Sequence, residues 1–172
     1  SQKLLKNKNI SHGFFNKNGG KSKGIYKSLN CGPGSLDNKN NILKNLKIVK
    51  NKIGKKTKKI YLVHQVHSNK LVFLNENSKL EKKIKADAII TDQKKLPIAV
   101  LTADCVPVLL HDFEKKIIAA VHAGWKGAYK GIIKNVINFM VKKGCNPKNI
   151  IGAIGPSITQ KNYEVKADLK KK

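Results

Sequence analysis

The clearest periodicity in the chain lies between residues 42 and 53, where Ile42, Leu46, Val49 and Ile53 recur at i, i+4, i+7 and i+11. That spacing lines one face of a helix, and Gly54 supplies its stop. Upstream the pattern is broken. SHGFF reads as a short strand, followed by a Gly- and Lys-rich loop from Lys17 to Gly24 and the turn sequence SLNCGPGS. Gly19, Gly20, Gly32 and Gly34 permit positive φ, which makes this a loop-rich segment able to fold over a site.

From Lys59 onward the helical period gives way to strands: KIYLVHQV, NKLVFL, ADAIIT, PIAVLT, VPVLLHD and KIIAAVHA, separated by polar or turn residues. VPVLLHD and KIIAAV, joined through Phe113, Glu114 and Lys115, predict an antiparallel hairpin. A turn over Gly124 to Gly127 leads into a second helix, with Ile132, Ile133, Val136, Ile137 and Met140 on one face and Gly144 closing it. A last strand, NIIGAIG, runs into Gly155, Pro156 and Ser157. Strands outnumber helices and come partly in runs, which predicts an α+β layered sandwich of mixed β-sheets flanked by helices. No repeat or linker divides the chain, so 1–172 is expected to be a single domain, with Lys170 to Lys172 a frayed or cut-short end.

A length of 172 residues with 40% hydrophobic content is enough to bury a core. The net charge of +26 invites a nucleic-acid or anionic-membrane partner. The kind of charge argues otherwise: all 36 basic residues are lysine, scattered along the chain, and Asn and Ile are abundant beside them. An AT-rich coding bias produces that composition. A nucleic-acid reader would use arginine for bidentate phosphate and guanine contacts, so the lysines read as solvated surface and no nucleic-acid partner is expected. Leu96 to Leu110 is interrupted by Pro97, Thr102, Asp104 and Pro107, so it cannot span a bilayer and no membrane partner is expected. Cys31, Cys105 and Cys145 form no paired pattern, and no secretory signal opens the sequence, which together predict a reducing, cytoplasmic setting.

The candidate chemistry rests on His67 in HQVHS, Cys105 in LTADCVPVLL and His122 in AAVHAGWKG. These are donors that zinc or copper accepts. His67 and Cys105 stand 38 residues apart and Cys105 and His122 17 apart, which no compact zinc finger has. Three ligands gathered by a folded sheet, with a fourth position open to water or substrate, is the form of a catalytic site. Taken singly, Cys105 is equally a small buried hydrophobe and either histidine a satisfied core residue. A rival arrangement makes Cys105 a thiolate nucleophile with His122 as its base and no metal. Asp87, Asp92, Asp104 and Asp112 fall close together in a chain with only 10 acids. One of them, Asp104 first, could orient a ligand histidine or move a proton; capping of strand ends is the equal alternative. His64 would face away from His67 on a strand and reads as a non-ligand. His12 could edge the site, His111 reads as packing or surface, and Cys31 and Cys145 as structural. Trp125 could stack on a base or anchor packing. Lys17, Lys21 and Lys126, beside glycines, are candidates to bind phosphate.

The succession HGFF with a GG loop, SLN, QVHS, ADAIIT, LTADCVPVLL, AAVHAGWKG and AIGPSI before YEV resembles the laccase-domain family, also described as multicopper polyphenol oxidase-like or peptidoglycan-editing-factor-like. The resemblance runs through nearly the whole chain in order. It implies an α+β layered fold related to cysteine-hydrolase toxins, with Zn²⁺ held by His67, Cys105 and His122. It also implies phosphorolysis of adenosine, inosine, guanosine and methylthioadenosine with inorganic phosphate, together with deamination of adenosine. A copper-dependent phenol oxidase is the alternative, though 5 histidines are few for several coppers. A monomer or homodimer is expected. Three departures stand out: Lys17 and Lys126 replace arginines common in the family, Asn162 replaces a frequent cysteine, and the family's C-terminal segment is expected to be missing after Lys172.

Overall fold

The longest strands follow the alternation written into the sequence. In a computed structural model describing Leu4, residues 9–80 and residues 84–164, β5 (Val106–Asp112) and β6 (Ile117–Ala123) pair antiparallel. Val108, Leu110, Ala119 and Val121 point to one face and enter a single apolar cluster. The connection is held by Asp112, whose Oδ1 accepts from the backbone N–H groups of Glu114 and Lys115 at 3.0 and 2.8 Å. The turn takes in Lys116 as well, at φ 58°, so it is one residue longer than the sequence pattern indicates.

Around this hairpin a five-stranded sheet forms in the order β2-β3-β6-β5-β7, from β2 (Leu71–Leu74), β3 (Ala88–Thr91) and β7 (Ile150–Ile154). Only β2 and β3 run parallel; the remaining pairs are antiparallel. A separate two-stranded parallel ribbon joins β1 (Tyr61–Leu62) to β4 (Ile98–Ala99). The architecture is therefore mixed α+β, as the strand-rich pattern predicts.

Among the described residues, three α-helices of five residues or more complete the layers. α1 (Lys39–Ile53) is capped by Asn38, whose side chain accepts from Asn40 and Asn41 N–H, and it packs Val49 against Ile60 and Leu62. α2 (Trp125–Tyr129) occupies the stretch expected to be a turn. α3 (Ile132–Lys142) buries Ile132, Val136 and Met140 completely against the sheet face formed by Ala88, Ile90, Val108 and Val121. Gly144, at φ 87°, then turns the chain into the left-handed region that ends such helices. Gly54 ends α1 differently, in an extended conformation.

Three expected strands are shorter or absent, PIAVLT among them, a strand only over Ile98–Ala99. SHGFF forms none: the Phe14 ring lies against Gly155 instead, where any Cβ would run into it. KIYLVHQV is a strand only over Tyr61–Leu62; His64 keeps an isolated bridge to Lys85, and from Val66 onward the N–H groups are taken by a side chain, as described below. On the far face of the sheet, beneath α1 and the N-terminal loops, lies a cavity of about 1060 Å³ whose walls include His12, Phe14, Lys17, Leu109, His111 and Ile118. Lys170 to Lys172 lie outside the described residues.

Candidate metal centre

Asp87, at the entrance to β3, organises the site. It is fully buried, and its two oxygens accept from the backbone N–H groups of Val66, His67 and Ser68 at 2.7–3.3 Å. They also take the Ser68 hydroxyl at 2.7 Å and lie 2.8 Å from His122 Nδ1. Burial by itself would raise the Asp87 pKa; the hydrogen bonds, led by that of His122, hold it below the usual carboxylate range. The captured amides are the donors a strand would have spent on a neighbour, which is why HQVHS leaves the sheet. His67 consequently sits in a loop at φ 56°, a conformation that costs a non-glycine residue about 1–2 kcal/mol.

His122 lies on β6, nearly fully buried, with its backbone N–H donating to Asp87 O at 2.8 Å. A carboxylate beside Nδ1 favours the tautomer with the proton on that nitrogen and leaves Nε2 with a free lone pair. The His67 ring meets the His122 ring edge-on, with centroids 4.8 Å apart at 82°. Cys105 precedes β5, and its Sγ stands 3.9 Å from His67 Nε2. One donor atom from each of His67, Cys105 and His122 thus falls within 4.8 Å of the others. Burial, then the charges of Asp104 and Asp87, push the Cys105 thiol above its ordinary pKa.

Two features the sequence reading missed complete the assembly. Gln65 bridges the HQVHS and LTADC segments, donating from Nε2 to Leu101 O at 2.7 Å and accepting from Leu101 N–H at 2.8 Å. Gly124 leaves the donors room: a Cβ there would lie 2.8 Å from His67 Cδ2, 3.2 Å from Cys105 Sγ and 3.5 Å from His122 Cε1. Gly127 likewise makes room within α2, where a Cβ would stand 2.7 Å from Ser68 O. The glycines of HAGWKG were visible in the sequence, but their neighbours were not. Two imidazoles and one cysteine sulfur within 4.8 Å of one another are a donor set that suits a tetrahedral transition metal with its fourth position left to another ligand.

The remaining candidates distribute unevenly. Asp104 is exposed, next to Cys105 in sequence, and its carbonyl accepts from Ile158 N–H at 3.0 Å. Trp125 is half-buried at the start of α2, with Lys126 Nζ 5.4 Å from its ring centroid. Lys17 and Lys21 are exposed on the N-terminal loop, with Lys17 on the cavity wall. His64 is exposed in an isolated bridge to Lys85. His111, expected in packing or at the surface, is buried with no hydrogen-bond partner for Nδ1. Asp92 is exposed, whereas Asp112 is spent on the hairpin turn.

The family model described as multi-copper polyphenol oxidoreductase laccase matches residues 11–172. The chain belongs to this laccase family. Among curated relatives, the purine nucleoside phosphorylase of Rickettsia conorii is 44% identical over 131 residues, covering 74% of this chain and 53% of its own length. The purine nucleoside phosphorylase of Corynebacterium glutamicum is 36% identical over 161 residues, covering 93% of this chain and 65% of its own. This laccase-family chain therefore spans between half and two thirds of the length of these relatives. Among solved structures, a Neisseria meningitidis protein of the DUF152 family aligns with a TM-score of 0.77 at 36% identity, covering 90% of this chain and 60% of that one. The Bacillus licheniformis protein YfiH aligns with a TM-score of 0.82 at 30% identity, over 90% and 61% of the two chains. Among the described residues, no helix is long and apolar enough to cross a membrane.

Proposed function

We propose that the chain carries the zinc-binding portion of a purine nucleoside phosphorylase, with His67, Cys105 and His122 as ligands. The observation that carries this reading is the convergence of their three donor atoms within 4.8 Å in a chain whose curated relatives bear that enzyme name. Zinc held there would act as a Lewis acid with one position open to substrate. Copper is the alternative ion. Among the described residues, one three-donor group supports a single-ion site over a multi-copper centre.

In phosphorolysis a phosphate oxygen forms a bond to C1′ of the ribose, the C1′–N9 bond breaks, and the purine leaves with the electron pair and gains a proton. Asp104 is the candidate to handle that proton, and Lys17, Lys21 and Lys126 are candidates to hold the phosphate dianion. Trp125 offers a face for the base. Adenosine deamination, in which water attacks C6 and ammonia leaves, is a second activity of the same reading. Three free cysteines suit a reducing, cytoplasmic setting.

The test is elemental analysis of the purified chain and its Cys105→Ser variant, alongside assays of inosine and adenosine with and without phosphate. About one zinc per chain, lost in the variant, with base released only when phosphate is present, is the expected result; ammonia from adenosine reports the second activity. A folded protein without metal that still cleaves substrate through Cys105 would move the reading to a thiol nucleophile.

A further inference from the structure

Asp87 hydrogen-bonds to both histidines of the candidate centre, and it reaches them in different ways. Oδ1 lies 2.8 Å from His122 Nδ1 and accepts from His67 N–H at 3.0 Å. Oδ2 accepts from Ser68 N–H and from Ser68 Oγ, each at 2.7 Å. One histidine is held by its ring and the other by its backbone. With Val66 N–H, five donors in all converge on the carboxylate, at a residue with no solvent exposure. Neither the His67 loop nor the ring of His122 has another buried carboxylate among the described hydrogen-bond partners.

We propose that Asp87 is a shared positioning residue that sets the tautomer of His122 and the backbone of His67 together, so that the donor set is assembled or lost as a unit. This rests on reading His67, Cys105 and His122 as metal ligands. An amide cannot substitute for the carboxylate. With its NH₂ in place of Oδ2, it would confront the Ser68 N–H donor. With its NH₂ in place of Oδ1, it would demand an acceptor from His122 Nδ1 and drive the imidazole proton onto Nε2, the nitrogen facing the other ligands.

The experiment titrates Co²⁺ into the full chain and its Asp87→Asn and Ser68→Ala variants, following the thiolate-to-cobalt charge-transfer band of Cys105. On the same proteins without metal, ¹⁵N spectra report the His122 tautomer, and amide exchange reports residues 66–68. In Asp87→Asn we expect Co²⁺ affinity to fall about 10–100-fold and amide protection at 66–68 to fall, with the Nδ1–H tautomer lost wherever the NH₂ takes the place of Oδ1. Ser68→Ala, which removes one donor to Oδ2 and keeps the His122 contact, is expected to retain the tautomer while weakening protection and lowering Co²⁺ affinity several-fold; it decides the matter if Asp87→Asn does not fold. A folded Asp87→Asn protein with unchanged Co²⁺ affinity, or with the His122 tautomer changed while protection at 66–68 is unaltered, overturns the proposal, as does an unaltered Ser68→Ala should it be the variant that decides. If the wild-type chain binds no Co²⁺, the metal reading fails, and the tautomer and exchange data still decide whether Asp87 orders both histidines.

Discussion

At Gly124 the constraint is space. Its φ of −69° is open to any residue, so substitution by alanine adds no backbone strain, yet the new Cβ would press on the His67 ring and the Cys105 sulfur. Gly124→Ala is therefore expected to keep its far-UV circular dichroism and lose at least about 10-fold in Co²⁺ affinity; full affinity would show that the donors are not confined in this way. His111 carries a different constraint. Burial lowers its pKa against a smaller upward pull from Asp112, so below about pH 6.5 the unfolded chain takes up a proton that the folded chain resists. Stability tied to neutral His111 is then present above that pH and lost on acidification. A urea midpoint that drops between about pH 7.5 and 5.5 in the wild type, and drops less in His111→Gln, would express this linkage.

Elements in this protein are tied by side chains standing in for backbone. The N-terminal loop has few ladder partners and is held to α1 by Asn45, fully buried on the helix's inner face. Asn45 accepts from Lys21 N–H at 2.7 Å and donates to Ser22 Oγ, Ser28 O and Asn30 O. Removing it leaves several buried groups unpaired, each costing about 1–3 kcal/mol if water cannot reach it. Asn45→Ala should accordingly lower the urea midpoint and expose the segment around Lys17 to Tyr26 to protease, whereas Asn40→Ala on the exposed face should do neither. The helix was legible from Ile42, Leu46, Val49 and Ile53, but its most consequential inward residue is polar and fell outside an apolar pattern. HQVHS shows the same limit from the other side: a strand-like sequence became a loop because a carboxylate 20 residues from His67 took its amides.

Over the whole molecule, the three candidate ligands come from a loop after β1, the approach to β5, and β6, so an ion bound between them would link segments that unfold apart. Zinc is expected to raise the melting temperature in a concentration-dependent manner, by an amount equivalent to about 2.7 kcal/mol at 100 times Kd, with the effect removed by chelator and absent in Cys105→Ser. Sequence alone determined the helices over 42–53 and 132–140, the β5–β6 hairpin, the α+β class and the identity of the three candidate donors. All of these rest on periodicity or on residue chemistry that a linear pattern carries. Only the tertiary structure decided that Gln65 would bridge two segments, that Gly124 would be the space between the donors, and that Asp87 would hold both histidines. Those contacts join residues far apart in the chain, and their partners are chosen by how the sheet and its loops pack.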